Sequence, residues 1–332
     1  MLNIKYEKFI QYIVFIFLEF TLIIFVILLV RMIILFSINK AQEAQYLTSI
    51  SKNHIIYDPK SKLISFYEPK PNTIQIDNPE WLGYSVKNTI NADSLNERFD
   101  YNIKKQDKTY RIITLGDSFT FGMFVNTPEN YTEILEDKLN SIVECKTINK
   151  FEVINLGVSG YDIENSVERL FKRGIKYNPD LVILLLNGHN FITINKYERP
   201  LVAILIDQGK NYYNNKTGVF EASKLAKNMV IDNLGMENIL NYQIQIFRKL
   251  KNNYQGKLLF ISFSNLHNRY KNLLKNVISS NDLFYDNLSN IQDDKNLKLL
   301  DGHPSVEGHK KIAEDLFKYL ILNYFSDCKQ VN

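Results

Sequence analysis

The sequence predicts an α/β fold: a doubly wound sheet of about five parallel strands, preceded by one transmembrane helix and a small membrane-proximal segment that contains β-strands. Three observations predict it. From residue 111 onward, short apolar runs alternate with segments of helical periodicity. Residues 180–186 are almost entirely apolar, which is typical of a central parallel strand buried on both faces. Residues 13–36 are also largely apolar, over a length that can span a bilayer.

The N-terminal apolar segment predicts an uncleaved anchor. Residues 13–30 are apolar except for Glu19 and Thr21, and apolar residues resume after Arg31. A secretory signal peptide has an apolar region of only about 7–15 residues and a small-residue cleavage site, and neither property fits here. We therefore expect a tail and transmembrane anchor over residues 1–37, with membrane contact through residues 13–36.

The segment 38–109 predicts a small membrane-proximal unit that contains β-strands. Four prolines interrupt any long helix in it: Pro59, Pro69, Pro71 and Pro79. Residues 81–87 and 88–93 are candidates for short strands. The aromatic side chains around Trp81 need a surface to pack against, which favours a folded cap over a flexible stalk.

The segment 110–332 carries the alternating pattern. Predicted strands cover residues 111–115, 151–156, 180–186, 257–263 and about 283–286. Predicted helices cover residues 128–142, 162–174, 237–251, about 266–279 and 305–323. Residues 191–236 are too long for a simple connection and form an insertion, which is either a lid or acyl-acceptor site or a helical insertion packed for stability.

Composition excludes several function classes. The net charge is +4 and no long block of Lys or Arg occurs, so we predict no nucleic-acid partner. The five histidines show no metal-like spacing, so we predict no metal site. Cys145 and Cys328 are the only cysteines; they could pair, but two free thiols are the favoured interpretation.

A candidate nucleophile follows the first strand of the alternating region. Gly116-Asp117-Ser118 comes directly after an apolar run, so the serine hydroxyl is expected at the carboxyl edge of the sheet, where open α/β sheets bind ligands. A serine nucleophile needs a base and donors for an oxyanion. Candidate donors to an oxyanion occur later in Val158-Ser159-Gly160 and Gly188-His189-Asn190, and a candidate base occurs in Asp301-Gly302-His303.

These four motifs, in this order, resemble the blocks of the SGNH (GDSL-type) hydrolase superfamily, over about residues 110–325. The resemblance implies a flavodoxin-like strand order. It also implies a serine mechanism with Ser118 as nucleophile, His303 as base and Asp301 orienting the base, and an oxyanion hole formed by the amides of Ser118 and Gly160 and the side chain of Asn190.

The chain departs from the family pattern in two places. Phe191 follows Asn190, where the family has Asp. The family places an Asp three residues before the His, but here Asp301 lies two before His303, so Asp293 or Asp294 could replace it. We interpret two further histidines as non-catalytic: His189 as a pocket residue, and His309 as solvated or satisfied in the core.

Together with the predicted anchor, the resemblance implies a membrane-anchored serine esterase that removes O-acyl groups, with acetyl as the expected group, from a surface carbohydrate or a lipid-linked sugar, with no cofactor. The family's frequent action on cell-surface glycans places the single-pass protein in the membrane with its catalytic domain extracytoplasmic. Two alternatives stay open. The same residues would serve an O-acyltransferase that acylates a glycan, and the motif departures allow a degenerate binding module.

Overall fold

The computed structural model describes residues 15, 17–31, 55–57, 63, 66–141, 143–208, 216–278, 282–325 and 327–330. Its strands are β1 Ile55–Tyr57, β2 Tyr67–Pro69, β3 Thr73–Asp77, β4 Val86–Ile90, β5 Thr109–Leu115, β6 Val143–Cys145, β7 Lys150–Asn155, β8 Leu181–Leu186, β9 Leu258–Phe263, β10 Leu283–Leu288 and β11 Cys328–Gln330. Its helices are α1 over residues 17–31, α2 Ser118–Phe121, α3 Tyr131–Ser141, α4 Ile163–Arg169, α5 Asn195–Gln208, α6 Lys216–Leu234, α7 Met236–Asn253, α8 Asn268–Val277 and α9 Val306–Asn323.

The central sheet has five parallel strands in the order β10-β9-β8-β5-β7. The first of these strands in the chain, β5, has the second, β7, on one side and the third, β8, on the other. This is the flavodoxin-like order, in which the direction of strand addition reverses at the first strand. The predicted parallel sheet is therefore confirmed, and the residues that follow β5 lie at the switch point.

Helices cover both faces of the sheet because alternate side chains of each strand point to opposite sides. One core joins the sheet to α4, α7 and α8 through residues such as Ile113, Val167 and Phe247. The other joins it to α3 and α9 through residues such as Ile112, Leu135 and Leu316. All six residues of β8 are buried, as expected for the central strand of such a sheet.

The prediction of a transmembrane anchor is wrong for the part of the chain that the structure describes, since none of its helices has both the length and the apolar character needed to cross a bilayer. The predicted membrane localisation is withdrawn with it, and so is the extracytoplasmic placement. Residues 13, 14, 16 and 32–36 of the predicted span lie outside the described residues.

The region before β5 and the insertion differ in detail from expectation. A hairpin of β3 and β4 precedes the sheet, and residues 80–82 form a 3₁₀ turn where a strand was a candidate. The insertion contains two long helices, α5 and α6, which pack on one another. The division into units at 38–109 and 110–332 stays a prediction.

The two cysteines form a disulfide, so the interpretation of two free thiols is wrong. Cys145 lies on β6 and Cys328 on β11, and these short strands pair in antiparallel register with the two cysteines opposite each other. The prediction failed because 183 residues separate the cysteines and only the fold brings their strands together.

Candidate active site

Ser118 lies at the carboxyl end of the sheet, as the first residue of the short helix α2. Asp117 caps this helix: its side chain accepts a hydrogen bond from the Phe119 amide at 3.0 Å. The cap holds the turn between β5 and α2, and the turn presents the Ser118 hydroxyl to the pocket at the switch point of the sheet.

His303 and Asp301 approach Ser118 from the loop before α9. His303 Nε2 lies 2.8 Å from Ser118 Oγ, and His303 Nδ1 lies 2.8 Å from Asp301 Oδ2. The backbone amide of His303 also donates to Asp301 Oδ1 at 3.1 Å. These contacts form a continuous Ser–His–Asp hydrogen-bond chain, so the geometry of a serine nucleophile with an oriented base is present.

The carboxyl of Asp301 is held in its charged form. Burial alone would raise the pKa of Asp301, but the hydrogen bond and charge of His303 outweigh burial and lower this pKa below its usual range. A charged carboxylate favours the tautomer in which His303 Nδ1 carries the proton and Nε2 accepts one from Ser118. Neither Asp293 nor Asp294, the alternatives from the sequence, makes a described hydrogen bond with His303.

Aromatic rings hold the plane of the His303 ring. The rings of Phe119 and Phe124 lie 5.4 Å from it, centroid to centroid, the first tilted and the second edge-on. They restrict rotation of the imidazole, which keeps its two nitrogens directed at Ser118 and Asp301.

Gly160 lies on the loop after β7 and lines the same pocket as Ser118. The backbone amides of these two residues make no hydrogen bond with any described group. Two free amides beside a serine hydroxyl are suited to bind a developing oxyanion. The structure therefore brings together Ser118, Gly160, His303 and Asp301.

In this structure the Asn190 side chain is engaged within the turn after β8, and its predicted role as an oxyanion donor stays a prediction. Its amide nitrogen donates to Asp117 Oδ2 at 3.0 Å, and its oxygen accepts from the Asn187 backbone amide at 2.7 Å. Asn190 is 3% exposed and is not among the residues that line the pocket. The turn after β8 points Asn187 and His189 toward the pocket instead.

His189 and His309 occupy different environments. His189 lines the pocket and contacts Lys227 of the insertion helix α6, whose Nζ lies 2.8 Å from His189 Nδ1. Its desolvated position and the nearby Lys227 charge lower the pKa of His189 to about 4, so the ring is neutral at pH 7. His309 is fully buried and accepts from the Tyr131 amide at 3.2 Å, in agreement with a core role.

The pocket beside Ser118 has a volume of about 630 Å³. One part of its wall is apolar and aromatic, with Phe263, Leu266, Tyr270 and Ile291. Another part carries hydrogen-bonding side chains: Asn265, His267, Asn290 and Gln292. Within the described residues, no group of three or more His, Cys, Asp or Glu side chains could hold a metal ion.

Sequence reasoning did not identify the residues that approach the site from outside the four motifs. Tyr67 of β2 and Arg199 of α5 both contact the loop that carries Gly160. Lys227 of α6 reaches His189. No local pattern marks these side chains, because their position depends on how the insertion and the N-terminal strands fold back over the sheet.

Comparison with known proteins identifies the family. The sequence profile of the GDSL-like lipase/acylhydrolase family matches residues 112–316, more than half of the chain. No curated protein shows significant sequence similarity to the chain.

One similar solved structure is a catalytic mutant of the acetylxylan esterase Axe2 from Geobacillus stearothermophilus, which is 16% identical in sequence. The alignment covers 65% of this chain and 95% of that chain, with a TM-score of 0.41. A family 3 carbohydrate esterase from Clostridium thermocellum has 20% identity, 64% and 96% coverage and a TM-score of 0.37. The psychrotrophic esterase EstA from Pseudoalteromonas sp. has 17% identity, 65% and 100% coverage and a TM-score of 0.37. On the extent of the profile match, the chain belongs to the GDSL-like lipase/acylhydrolase family, whose members are serine hydrolases acting on esters.

Proposed function

We propose that this protein is a serine esterase that removes O-acyl groups from a carbohydrate, with acetyl as the proposed acyl group. The observation that carries the proposal is the continuous hydrogen-bond chain from Ser118 through His303 to Asp301, next to the free amides of Ser118 and Gly160. Ser118, Gly160 and His303 line one pocket, and Asp301 supports His303 through its Nδ1, which supports acyl transfer to the serine.

The reaction begins when Ser118 Oγ attacks the ester carbonyl while His303 Nε2 takes the hydroxyl proton. The carbonyl oxygen becomes an oxyanion, to which the amides of Ser118 and Gly160 donate hydrogen bonds. The C–O bond to the alcohol then breaks, and His303 returns the proton to the leaving oxygen. Asp301 stabilises the imidazolium that exists between these two steps.

Hydrolysis of the acyl-enzyme repeats the sequence with water. His303 takes a proton from the water as its oxygen attacks the acyl carbon, and the second tetrahedral intermediate uses the same two amides. Collapse of this intermediate breaks the bond to Ser118 Oγ, and His303 returns the proton to the serine. The carboxylic acid leaves, and the free enzyme is regenerated.

The shape and chemistry of the pocket support a carbohydrate ester. A volume of about 630 Å³ is much larger than an acetyl group and is within the range of small-molecule sites. The ring of Tyr270 offers a flat apolar surface for the face of a sugar ring. The side chains of Asn265, Asn290 and Gln292 offer both donors and acceptors for sugar hydroxyls.

The test is hydrolysis of p-nitrophenyl acetate by the full chain and by matched variants. We expect Ser118→Ala and His303→Ala each to lower kcat by at least about 10³-fold, because the nucleophile and its base act as a unit. Ser141→Ala is the control, since its hydroxyl donates to the Asp137 carbonyl on the exposed surface of α3. Unchanged activity of Ser118→Ala would refute the serine mechanism.

The substrate is tested separately, with acetylated xylo- and manno-oligosaccharides as probes and acetate release as the readout. We expect a higher kcat/KM on an acetylated sugar than on p-nitrophenyl acetate, with substitution of Tyr270 by Ala lowering only the sugar reaction. If Ser118-dependent activity occurs on simple esters and never on acetylated sugars, the carbohydrate part of the proposal fails and the esterase part stands.

A further inference from the structure

The loop that carries Gly160 is held by side chains from two segments outside the central sheet. Tyr67 comes from β2, in the N-terminal region, and donates its hydroxyl hydrogen to the Ser159 carbonyl. Arg199 comes from α5, in the insertion, and its Nη2 donates to the Gly160 carbonyl at 3.0 Å. Asn195 of the same helix donates to that carbonyl at 2.9 Å.

The contact between Tyr67 and Ser159 fixes the direction of the Gly160 amide. The Ser159 carbonyl and the Gly160 N–H belong to one peptide unit, which is planar and trans, so they point to opposite sides. A donor that holds the carbonyl on one side therefore holds the N–H on the other side, and Gly160 itself lines the pocket. Accepting a hydrogen bond at the carbonyl also polarises the peptide and makes its N–H a better donor.

Gly160 needs this restraint because its backbone is permissive. It has a φ of +78°, in the left-handed region, where glycine is favoured. The next peptide is held as well, since both Asn195 and Arg199 donate to the Gly160 carbonyl. The peptide units on both sides of Gly160 thus have a partner at the carbonyl, and neither can turn without losing a hydrogen bond.

Arg199 in turn orients Tyr67. Its Nη2 donates to the Tyr67 hydroxyl oxygen at 2.8 Å, and its guanidinium carbon lies 4.3 Å from the centre of the Tyr67 ring. Because the hydroxyl oxygen accepts from Arg199, its own hydrogen is directed to the Ser159 carbonyl. Tyr67 is 5% exposed and packs edge-on against Tyr161, so its ring has little freedom to move.

We propose that Tyr67 and Arg199 are positioning residues that aim the Gly160 amide at the oxyanion. The inference rests on the proposed function, in which this amide stabilises the tetrahedral intermediates on Ser118. The donors act in series, from the Arg199 guanidinium to the Tyr67 hydroxyl, then to the Ser159 carbonyl and, through the peptide, to the Gly160 N–H. An insertion helix and an N-terminal strand thereby complete a site whose nucleophile and base lie on the sheet and on the loop before α9.

The first test compares Tyr67→Phe and Arg199→Met with the wild-type chain on p-nitrophenyl acetate. We expect kcat to fall about 10- to 100-fold in each variant, because small displacements of catalytic groups cost up to about 10²-fold, while KM stays within about twofold. Tyr177→Phe is the matched control, since it removes a phenol hydroxyl that donates to Asp93, away from the pocket. We expect its kcat to be unchanged.

The second test measures binding of phenylboronic acid, which forms a tetrahedral adduct with a serine hydroxyl and presents an oxygen to the oxyanion site. We expect its affinity to fall in the two variants by about the same factor as kcat/KM. The double variant should lose less than the product of the two single losses, because Arg199 acts on the Ser159–Gly160 peptide through Tyr67 as well as on the Gly160 carbonyl directly.

Several outcomes would overturn the inference: an unchanged kcat in both variants, an equal loss in Tyr177→Phe, or a loss of kcat without a change in boronic acid affinity. If Tyr67→Phe does not fold, Arg199→Met alone decides between the same outcomes. Ser118→Ala separates this inference from the proposed function. An active Ser118→Ala enzyme refutes both, whereas an inactive one beside a fully active Tyr67→Phe enzyme refutes only the positioning role.

Discussion

Removing the disulfide should lower the stability of the fold and leave the active site intact. The perturbation is the double substitution Cys145→Ser and Cys328→Ser. The bond closes a loop of 183 residues between β6 and β11, and this loop contains most of the sheet and the entire insertion. The proposed catalytic residues contact neither cysteine, and the pocket is lined by other residues.

The expected magnitude follows from the length of the closed loop. The chain-entropy relation gives an entropy loss of about 18 cal/mol/K for a loop of this size, or about 5 kcal/mol at 25 °C. Besides the disulfide, β6 and β11 pair with each other and Thr147 Oγ1 donates to Asp327 at 2.6 Å, so we expect the two strands to stay paired in the reduced protein. Since measured effects tend to fall below the entropic value, we expect a loss of about 2–5 kcal/mol in the free energy of unfolding.

The assay is guanidinium unfolding followed by far-UV circular dichroism, with and without a reductant. Wild-type protein in reductant should match the double serine variant, and the variant should not respond to reductant. The esterase kcat at 25 °C should be the same in all samples that remain folded. A loss below about 1 kcal/mol would refute the loop argument, and a loss of kcat in folded protein would refute the independence of the site.

Three further predictions concern single side chains. Burial raises the pKa of Glu136 to about 7, so through this carboxyl the folded protein should lose up to about 3 kcal/mol of stability as pH rises from about 4.5 to 7. Burial also raises the pKa of the neighbouring Glu97, so Glu136→Gln should reduce, without abolishing, the difference in stability between urea unfolding at pH 5 and at pH 8. Asn190→Ala should lower the free energy of unfolding by about 1–3 kcal/mol in thermal or urea unfolding, because Asp117 loses a donor. We expect kcat to fall by less than about 10-fold, and a 10²- to 10³-fold loss would support the predicted role of Asn190 as an oxyanion donor. Asp301→Asn should lower kcat by about 10³- to 10⁴-fold in the ester assay, because Asp301 bonds to His303 Nδ1. The kcat of the control Asp294→Asn should stay within about twofold. A larger loss in Asp294→Asn than in Asp301→Asn would contradict the assignment of Asp301 as the residue that orients His303.

The fold was predictable from sequence where burial dictates the pattern. Every residue of β8 is buried, so all of them had to be apolar, and the run stood out without any knowledge of its neighbours. The helix at 306–323 was predictable because Ser305 caps its first turn by accepting from the Gly308 amide at 3.1 Å. In both cases the signal is local, and the structure agrees with it to within one or two residues.

The proposed catalytic set was also readable from sequence, but the role of each side chain in its motif was not. Gly188-His189-Asn190 lies where the order of the motifs predicts, directly after β8. Which of its side chains enters the pocket depends on a turn in which Asn187 and Asn190 bond to each other and to Asp117. A linear pattern contains no information on that turn, so the sequence alone does not predict that the Asn190 side chain bonds to Asp117.

The contact with Asp117 gives Asn190 a structural role. The Asp117 carboxylate accepts from the Phe119 amide and from the side chains of Asn187 and Asn190, which ties the end of β8 to the turn that presents Ser118. The motif after β8 thus fixes the position of the nucleophile. The proposed oxyanion site includes the backbone amide of Gly160. Because this amide lies on a glycine loop, its direction depends on the groups that hydrogen-bond to the loop.

Those groups lie on both sides of the predicted boundary at residue 109. Besides the bond from Tyr67 to Ser159, the neighbouring Glu68 accepts from the fully buried Arg169 at 2.6 Å, on the helix that follows the Gly160 loop. A buried ion pair of this kind is costly to break, because either partner alone would be left uncompensated. Glu68→Gln should therefore weaken the docking of β2 and, through Tyr67, lower kcat as well as stability. If it lowers stability with no change in kcat, β2 is only a structural support and the coupling between this strand and the oxyanion loop is absent.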